Sequence, residues 1–225
     1  KKDLILGNFL KDVGGKQRNF SGLKVAINLS NIVDAVRAIL ALDGFADKIL
    51  LLSFSYSKKQ IIHLIRKAKC DIILSDNYKF NSSEFTSLKY FKSFKEFKVN
   101  YKNDKNTKTK ETQWILATSG TSGFPKLVNH SLNALTKTTK TKSKVNHQQN
   151  WGLLYDYTRY AGLQVLLQSL LSGANLLVPN FNDNLKKKIE FFIKKRCTHL
   201  SATPSMWRNI LMVPRINKLN LVQVT

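Results

Sequence analysis

The sequence predicts an α/β fold of stacked, mainly parallel sheets with flanking helices, and two observations carry that prediction. Short apolar runs of strand length alternate with segments of helical period, and polar capping residues stand just before the helical segments. Successive strand–helix units of this kind imply right-handed crossovers and a parallel sheet. At 225 residues the chain is long enough to bury a sizeable core as one large domain or two small ones.

Taken in order, Lys1 to Asn19 is polar and predicts no element, and Leu23 to Leu29 reads as a strand. Ser30 is the candidate N-cap of a helix from Asn31 to about Asp43, with Ile32, Val36, Ile39 and Leu40 at helical spacing and Gly44 at its end. Lys48 to Phe54 is a buried strand. Ser57 and Gln60 make a capping box for a helix to Lys69, with Ile61, Leu64, Ile65 and Ala68 on one face. Asp71 to Leu74 is the next strand, and a weak one is expected near Leu88. The Lys-, Asn- and Thr-rich stretch 101–112 reads as a basic connector loop.

Gln113 to Ala117 is a buried strand that opens into Thr118-Ser119-Gly120-Thr121-Ser122-Gly123-Phe124-Pro125-Lys126. Lys126 to His130 can return as a strand, and Ser131 can cap a helix carrying Lys137, Lys140, Lys142 and Lys144. Further strands are expected at Trp151 to Tyr155, Ala174 to Pro179, Thr198 to Ser201 and Leu219 to Val224. Helices are expected at Tyr160 to Leu171, closed by Gly173, at Leu185 to Arg196, and after Thr203-Pro204. The organisation expected is a first α/β subdomain over 1–112, ending in the connector loop, and a second over 113–225 that is truncated at its C-terminal side. The chain begins with Lys1 and ends at Thr225 inside an expected strand, so it reads as a piece of a longer product.

The formal charge of +23 raises nucleic acid or another polyanion as a partner. The basic residues are overwhelmingly Lys, spread over almost every segment among abundant Asn, Ile, Phe and Ser. An AT-rich coding sequence imposes that mixture on any surface, whereas a nucleic-acid face concentrates Arg and aromatic residues on one element. Cys70 and Cys197 have no metal-ligand spacing and suggest no disulfide framework. No uninterrupted apolar run reaches membrane-spanning length, and a cytoplasmic location is expected. His63 lies beside the apolar stripe of its helix with no partner acid in the sequence nearby, which is the pattern of a packing or surface histidine.

The chemistry sits in the hydroxyl- and glycine-rich loop. Its glycines allow close backbone approach, its hydroxyls and N–H groups are donors, and Lys126 adds a mobile charge, which together suit a polyphosphate. The common phosphate loop GxxxxGK[ST] does not fit, because Pro125 stands where its second glycine belongs and Leu127 where it needs Ser or Thr.

The order Thr-Ser-Gly-Thr-Ser-Gly-x-Pro-Lys instead resembles the phosphate-loop signature of the adenylate-forming enzymes, the superfamily of acyl-CoA synthetases, firefly luciferase and peptide-synthetase adenylation domains. Ile115 to Lys126 falls within that signature, and Leu127 departs from it where a glycine is usual. The resemblance implies the N-terminal half of the large domain of such an enzyme. It implies ATP and Mg²⁺ as cofactors, nucleotide binding by Thr118, Ser119, Gly120, Thr121, Ser122, Gly123 and Lys126, and a catalytic role for Lys126. Downstream, if Gly162 is the glycine of the superfamily's acyl-pocket segment, Arg159 stands at its aromatic or histidine position and Asp156 at its proline. Arg159 and Gly162 are thereby candidate substrate residues, and Arg159 could hold a second carboxylate or phosphate. It could equally pair with Asp156 across one turn.

The activity implied is attack of a small-molecule carboxylic acid on ATP to give acyl-AMP and pyrophosphate. Transfer to coenzyme A or to a phosphopantetheinyl carrier protein would follow. The family's metal-binding glutamate, ribose-binding aspartate and lid lysine lie beyond the region that this chain resembles, so no metal ligand is assigned within it. The missing C-terminal half and lid domain are expected partners, and the chain alone is expected to be inactive. Two other classes stand beside this one: a basic nucleic-acid or polyanion binder, and a catalytically dead relative serving as an interaction module.

Overall fold

The computed structural model describes residues 20, 22–96, 111–118, 125–139 and 149–224. The chain divides into two compact units, Lys1–Leu135 and Thr136–Thr225. Both have helices flanking a sheet, the α/β class expected.

The first unit contains β1 (Lys24–Asn28), α1 (Ile32–Leu42), β2 (Lys48–Leu51), α2 (Lys58–Ala68), β3 (Ile72–Ser75), β4 (Lys89–Phe91), β5 (Gln113–Thr118) and β6 (Lys126–His130). These strands form one six-stranded sheet in the order β4-β3-β1-β2-β5-β6. All neighbours are parallel except β5 and β6. The chain leaves β1 toward β2 and then returns across β1 to β3, so the connections diverge at the carboxyl ends of β1 and β3. α2 lays Ile61, Leu64, Ile65 and Ala68 on Ala26, Leu50, Ile73 and Ile115 of one sheet face. The alternate strand residues Val25, Ile27, Ile49 and Leu51 are fully buried as well, so both faces are covered.

Local chemistry sets the helix ends. The Ser57–Gln60 capping box forms as the sequence predicts, and Lys69 closes α2 in the left-handed region. For α1 the cap is Asn31 rather than Ser30: the Asn31 side chain accepts from the N–H groups of Val33 and Asp34. Ser30 is drawn to Asp76 after β3, whose carboxylate accepts from Ser30 N, Ser30 Oγ and Asn31 N at 2.8–3.0 Å. At the neighbouring carboxyl end of β1, buried Asn28 donates to Leu52 O and Ser53 O at 3.2 and 3.0 Å, and accepts from Ser75 Oγ at 2.9 Å. One side chain thus ties three adjacent strand ends.

A five-residue helix, α3 (Leu132–Thr136), follows β6, with Ser131 Oγ accepting from Ala134 N at 3.1 Å. The longer lysine helix expected here stops at Thr136; Lys137 follows in a turn, and Lys140, Lys142 and Lys144 lie outside the described residues. Lys1 to Asn19 and most of the connector loop (101–110) also lie outside them.

The second unit contains β7 (Asn150–Gly152), α4 (Tyr160–Ser172), β8 (Asn175–Leu177), α5 (Leu185–Lys194), β9 (His199–Leu200), α6 (Pro204–Leu211) and β10 (Gln223–Val224), with a short 3-10 turn at Ile216–Lys218. Its sheet has the order β10-β9-β7-β8, every pair parallel. Gly173 ends α4 at φ 67°, and Thr203 caps α6 with Pro204 in its first turn. Ile189, Phe192, Cys197, Leu200 and Ile210 form its core. Gly152 makes room for them: a Cβ there would stand 2.8 Å from Leu200 Cδ1 and 3.0 Å from Cys197 Sγ. The sequence places a boundary at 112/113, whereas the units divide after Leu135, because β5 and β6 extend the first sheet beside β2.

Candidate functional site

β5 enters the site from a fixed base. Thr112 Oγ1 donates to Ala46 O at 2.7 Å and accepts from Gly44 N at 2.9 Å, and Trp114 Nε1 donates to Asp43 Oδ1 at 2.9 Å. Trp114, Ile115, Leu116 and Ala117 are buried between β2 and β6. The strand ends at the carboxyl edge of the parallel sheet, where ligands of such sheets gather. There Tyr56 Oη, buried after β2, points to Ala117 O at 3.5 Å.

Thr118 and Lys126 are the last pair of the antiparallel β5–β6 ladder, and Thr118 Oγ1 donates to Lys126 O at 3.4 Å. The ladder therefore closes the base of the glycine-rich segment and brings its first and last residues together. Both side chains are exposed, and Pro125 beside Lys126 is buried. Ser119, Gly120, Thr121, Ser122 and Gly123 lie outside the described residues. Leu127, which replaces the usual glycine, packs on the cluster that contains Tyr56, Ile115 and Ala117. The substitution thus anchors β6 to the core instead of altering the exposed side of the ladder.

The other two candidates belong to the second unit. Arg159 is the N-cap residue of α4, with an extended backbone at φ −98° and no side-chain cap. Ahead of it, Asp156 Oδ1 accepts from Thr158 N at 2.9 Å and Thr158 Oγ1 at 2.7 Å, and Arg159 N donates to Asp156 O at 3.0 Å. This turn folds against the first turn of α4 at Gly162. A Cβ there would overlap the Asp156 carbonyl oxygen and stand 2.6 Å from its carbonyl carbon. Gly162 is thus the close-approach residue that holds the Asp156–Arg159 turn on the helix.

A buried group in this unit escaped the sequence reading. His199 is 5 % exposed and stacks on Trp151, its register partner across β7 and β9, with ring centroids 4.7 Å apart. Its Nδ1 lies 2.8 Å from Thr198 Oγ1, which also accepts from Asn150 N at 2.8 Å. Burial pulls its pKa below the usual 6.5. Only the alternation of polar and apolar residues from Thr198 to Ser201 hints at it in sequence. Burial pushes the thiols the other way, Cys70 up to about 12 and Cys197 to about 11, so neither is a thiolate at neutral pH. Among the described residues no three His, Cys, Asp or Glu side chains cluster as a metal site. No described helix is long and apolar enough to cross a membrane.

Solved structures share this fold. The N-terminal domain of FACL13 from Mycobacterium tuberculosis, bound to an inhibitor, superposes with a TM-score of 0.69 at 16 % identity, over 96 % of this chain and 58 % of that one. O-succinylbenzoate coenzyme A synthetase (MenE) from Bacillus subtilis, in complex with ATP and magnesium ion, gives 0.70 at 16 % identity, over 95 % and 61 %. The N-terminal subdomain of Klebsiella oxytoca NpsA, in complex with 3-hydroxybenzoyl-AMSN, gives 0.72 at 16 % identity, over 92 % and 53 %. The chain therefore spans between about half and three fifths of these relatives' lengths. No curated protein matches it. The family model described as AMP-binding enzyme matches residues 5–224, nearly the whole sequence, and the chain belongs to that family.

Proposed function

We propose that the protein takes part in ATP-dependent activation of a carboxylic acid, giving an acyl-adenylate and pyrophosphate, followed by transfer of the acyl group to the thiol of coenzyme A or a carrier protein. The observation that carries this reading is the Thr118–Lys126 pair, which presents both ends of a hydroxyl- and glycine-rich loop at the carboxyl edge of the sheet. In the reaction a carboxylate oxygen attacks the α-phosphorus of ATP and the bond to the β-phosphate oxygen breaks, so negative charge grows on departing pyrophosphate. The Lys126 ammonium and the hydroxyls of Thr118, Ser119, Thr121 and Ser122 are the groups assigned to meet that charge. Gly120 and Gly123 let backbone N–H groups approach the same oxygens.

Magnesium is assigned to the nucleotide's own phosphates, since the donors of this loop are hydroxyls and N–H groups rather than carboxylates. It supplies further neutralisation of the β and γ oxygens when bound. Arg159, set at the start of α4 by the Asp156 turn, is the residue proposed to hold a second anionic group of the acid. Gly162 keeps that turn in place. Burial keeps the Cys70 and Cys197 thiols protonated and out of reach, which favours coenzyme A or a carrier protein as the source of the acceptor thiol.

The test is acid-dependent exchange of labelled pyrophosphate into ATP. It is run across monocarboxylic and dicarboxylic acids, on this chain alone and on it joined to the remaining part of an adenylate-forming domain. Exchange by the joined protein with a defined acid is expected, and background rates from this chain alone. No MgATP binding by either form, and no exchange with any acid, would sink the reading.

A further inference from the structure

We infer that Tyr56 and Leu127 are positioning residues for the glycine-rich loop. Together they clamp the rung of the β5–β6 ladder directly beneath Thr118 and Lys126, and so set the loop for a polyphosphate. Tyr56 lies in the turn between β2 and α2, its N–H donating to Ser53 O at 3.2 Å, and it is 6 % exposed. The β2–β5 ladder ends at the pair Leu51 and Leu116, and Ala117 lies one residue past it. There the Tyr56 hydroxyl donates to Ala117 O at 3.5 Å, so a side chain takes over from the strand. Across the other ladder Ala117 pairs with Leu127. Leu127 stands where the superfamily's signature usually has glycine, and it packs on the buried cluster that holds Tyr56, Ile115 and Ala117. A glycine would have no side chain to bury there. The rung is thus held from both of its strands, by a hydroxyl on one and an apolar side chain on the other.

Tyr56 is itself braced from behind. Its carbonyl accepts from Tyr78 Oη at 3.1 Å, and Phe54 O accepts from Asn77 Nδ2 at 3.0 Å, so the segment after β3 fixes the turn. Tyr78 N donates to Ser75 Oγ at 3.2 Å, and Ser75 Oγ donates to Asn28 Oδ1 at 2.9 Å. A line of hydrogen bonds therefore runs along the carboxyl edge of the sheet, from Asn28 at the end of β1 to Ala117 in β5. A chain of hydroxyl residues and glycines has many conformations, and binding a ligand gives most of them up. Holding both ends of the loop on a braced rung removes part of that cost before the ligand arrives. Tyr56 acts through Ala117, one residue below the loop. The polyphosphate as ligand rests on the proposed function; the clamp itself does not.

The experiment compares the parent chain with Tyr56→Phe, which removes only the hydroxyl, and Leu127→Gly, which restores the usual glycine. Calorimetry reads their affinity for MgATP and for inorganic tripolyphosphate, and hydrogen exchange reads the backbone amides of the sheet. Each variant should bind both probes about two- to tenfold more weakly than the parent. Exchange should quicken at Ala117, Thr118 and Leu127 while β1 and β3 stay protected. The two changes combined should weaken binding by less than the product of their single effects, because they loosen one rung. Equal affinities in all the proteins, with the parent binding, overturn the inference and leave the adenylation reading standing. So does faster exchange spread evenly through the sheet, which marks residues that only hold the fold. A parent that binds neither probe overturns the ligand assigned to the clamp together with the adenylation reading.

Discussion

Thr118 and Lys126 face each other across the last rung of the β5–β6 ladder, with the Thr118 hydroxyl on the Lys126 carbonyl at 3.4 Å. The backbone of Lys126 is thus fixed by the sheet while its exposed side chain remains free to follow a ligand's charge. Lys126→Ala should lower kcat/KM for acid-dependent adenylation roughly 10–1000-fold, about 1.4–4 kcal/mol. Stability should barely change, because an exposed lysine contributes little packing. Lys126→Arg should recover part of the rate, since a planar fork replaces a point charge imperfectly. Pyrophosphate exchange by the three proteins joined to the rest of the domain, with matched melting temperatures, checks this. Equal rates would remove the loop from the chemistry.

Gly162 and Gly152 separate two kinds of close contact. At Gly162 a methyl group would meet the backbone of Asp156 and Tyr157, which cannot rotate away. Gly162→Ala should cost about 2–4 kcal/mol in urea unfolding. At Gly152 it would meet the side chains of Leu200, Cys197 and Phe192, which can shift, so Gly152→Ala should cost less, about 1–3 kcal/mol. The reverse order would show that the Asp156 turn is not packed on α4 in this way.

Asn28 ties β1 to the ends of β2 and β3 with its amide fully buried. Asn28→Ala leaves Leu52 O, Ser53 O and Ser75 Oγ each short of this partner, so a loss of about 2–4 kcal/mol is expected. Asn28→Asp should be worse, because a carboxylate would face two carbonyl oxygens in place of an amide donor. Urea midpoints for the two variants test the ranking. A stable Asn28→Asp protein would mean that water reaches these strand ends.

The parallel units were legible in the sequence because period and capping agree: Ser57 with Gln60, Thr203 with Pro204, and Gly173 each mark an end that the structure keeps. The α1 cap was misplaced by one residue because Asp76, forty-six positions on, captures Ser30, and no local pattern encodes that contact. The place of β5 was likewise non-local. Its strand character is plain from Gln113 to Thr118, but pairing with β2 rather than with later strands is a matter of topology. Of the candidate site, the loop's chemistry was readable from its residue types. The stacking of His199 on Trp151 was not, since it depends on the register of two strands separated by α4, β8 and α5.

That stacked pair sets an acid limit on the second unit. Burial holds the folded-state pKa of His199 below its ordinary 6.5, so the folded protein binds the proton less readily than the unfolded chain. The contribution to stability is therefore complete above about pH 6.5 and is lost as pH falls from there through the depressed folded value. Protonation obliges Nδ1 to donate to Thr198 Oγ1, an oxygen that already receives Asn150 N. Asp43 responds in a separate window. Burial raises its carboxyl above 3.8 despite the Trp114 hydrogen bond, so its contribution falls as pH rises past that range. Urea unfolding at pH 7.5 and 5.5 should show the wild-type chain losing stability at the lower pH, with His199→Gln less stable at pH 7.5 but nearly flat between the two. An identical pH slope in both proteins would place the acid sensitivity elsewhere. A variant as stable as wild type at pH 7.5 would mean that the stack on Trp151 contributes nothing to the fold.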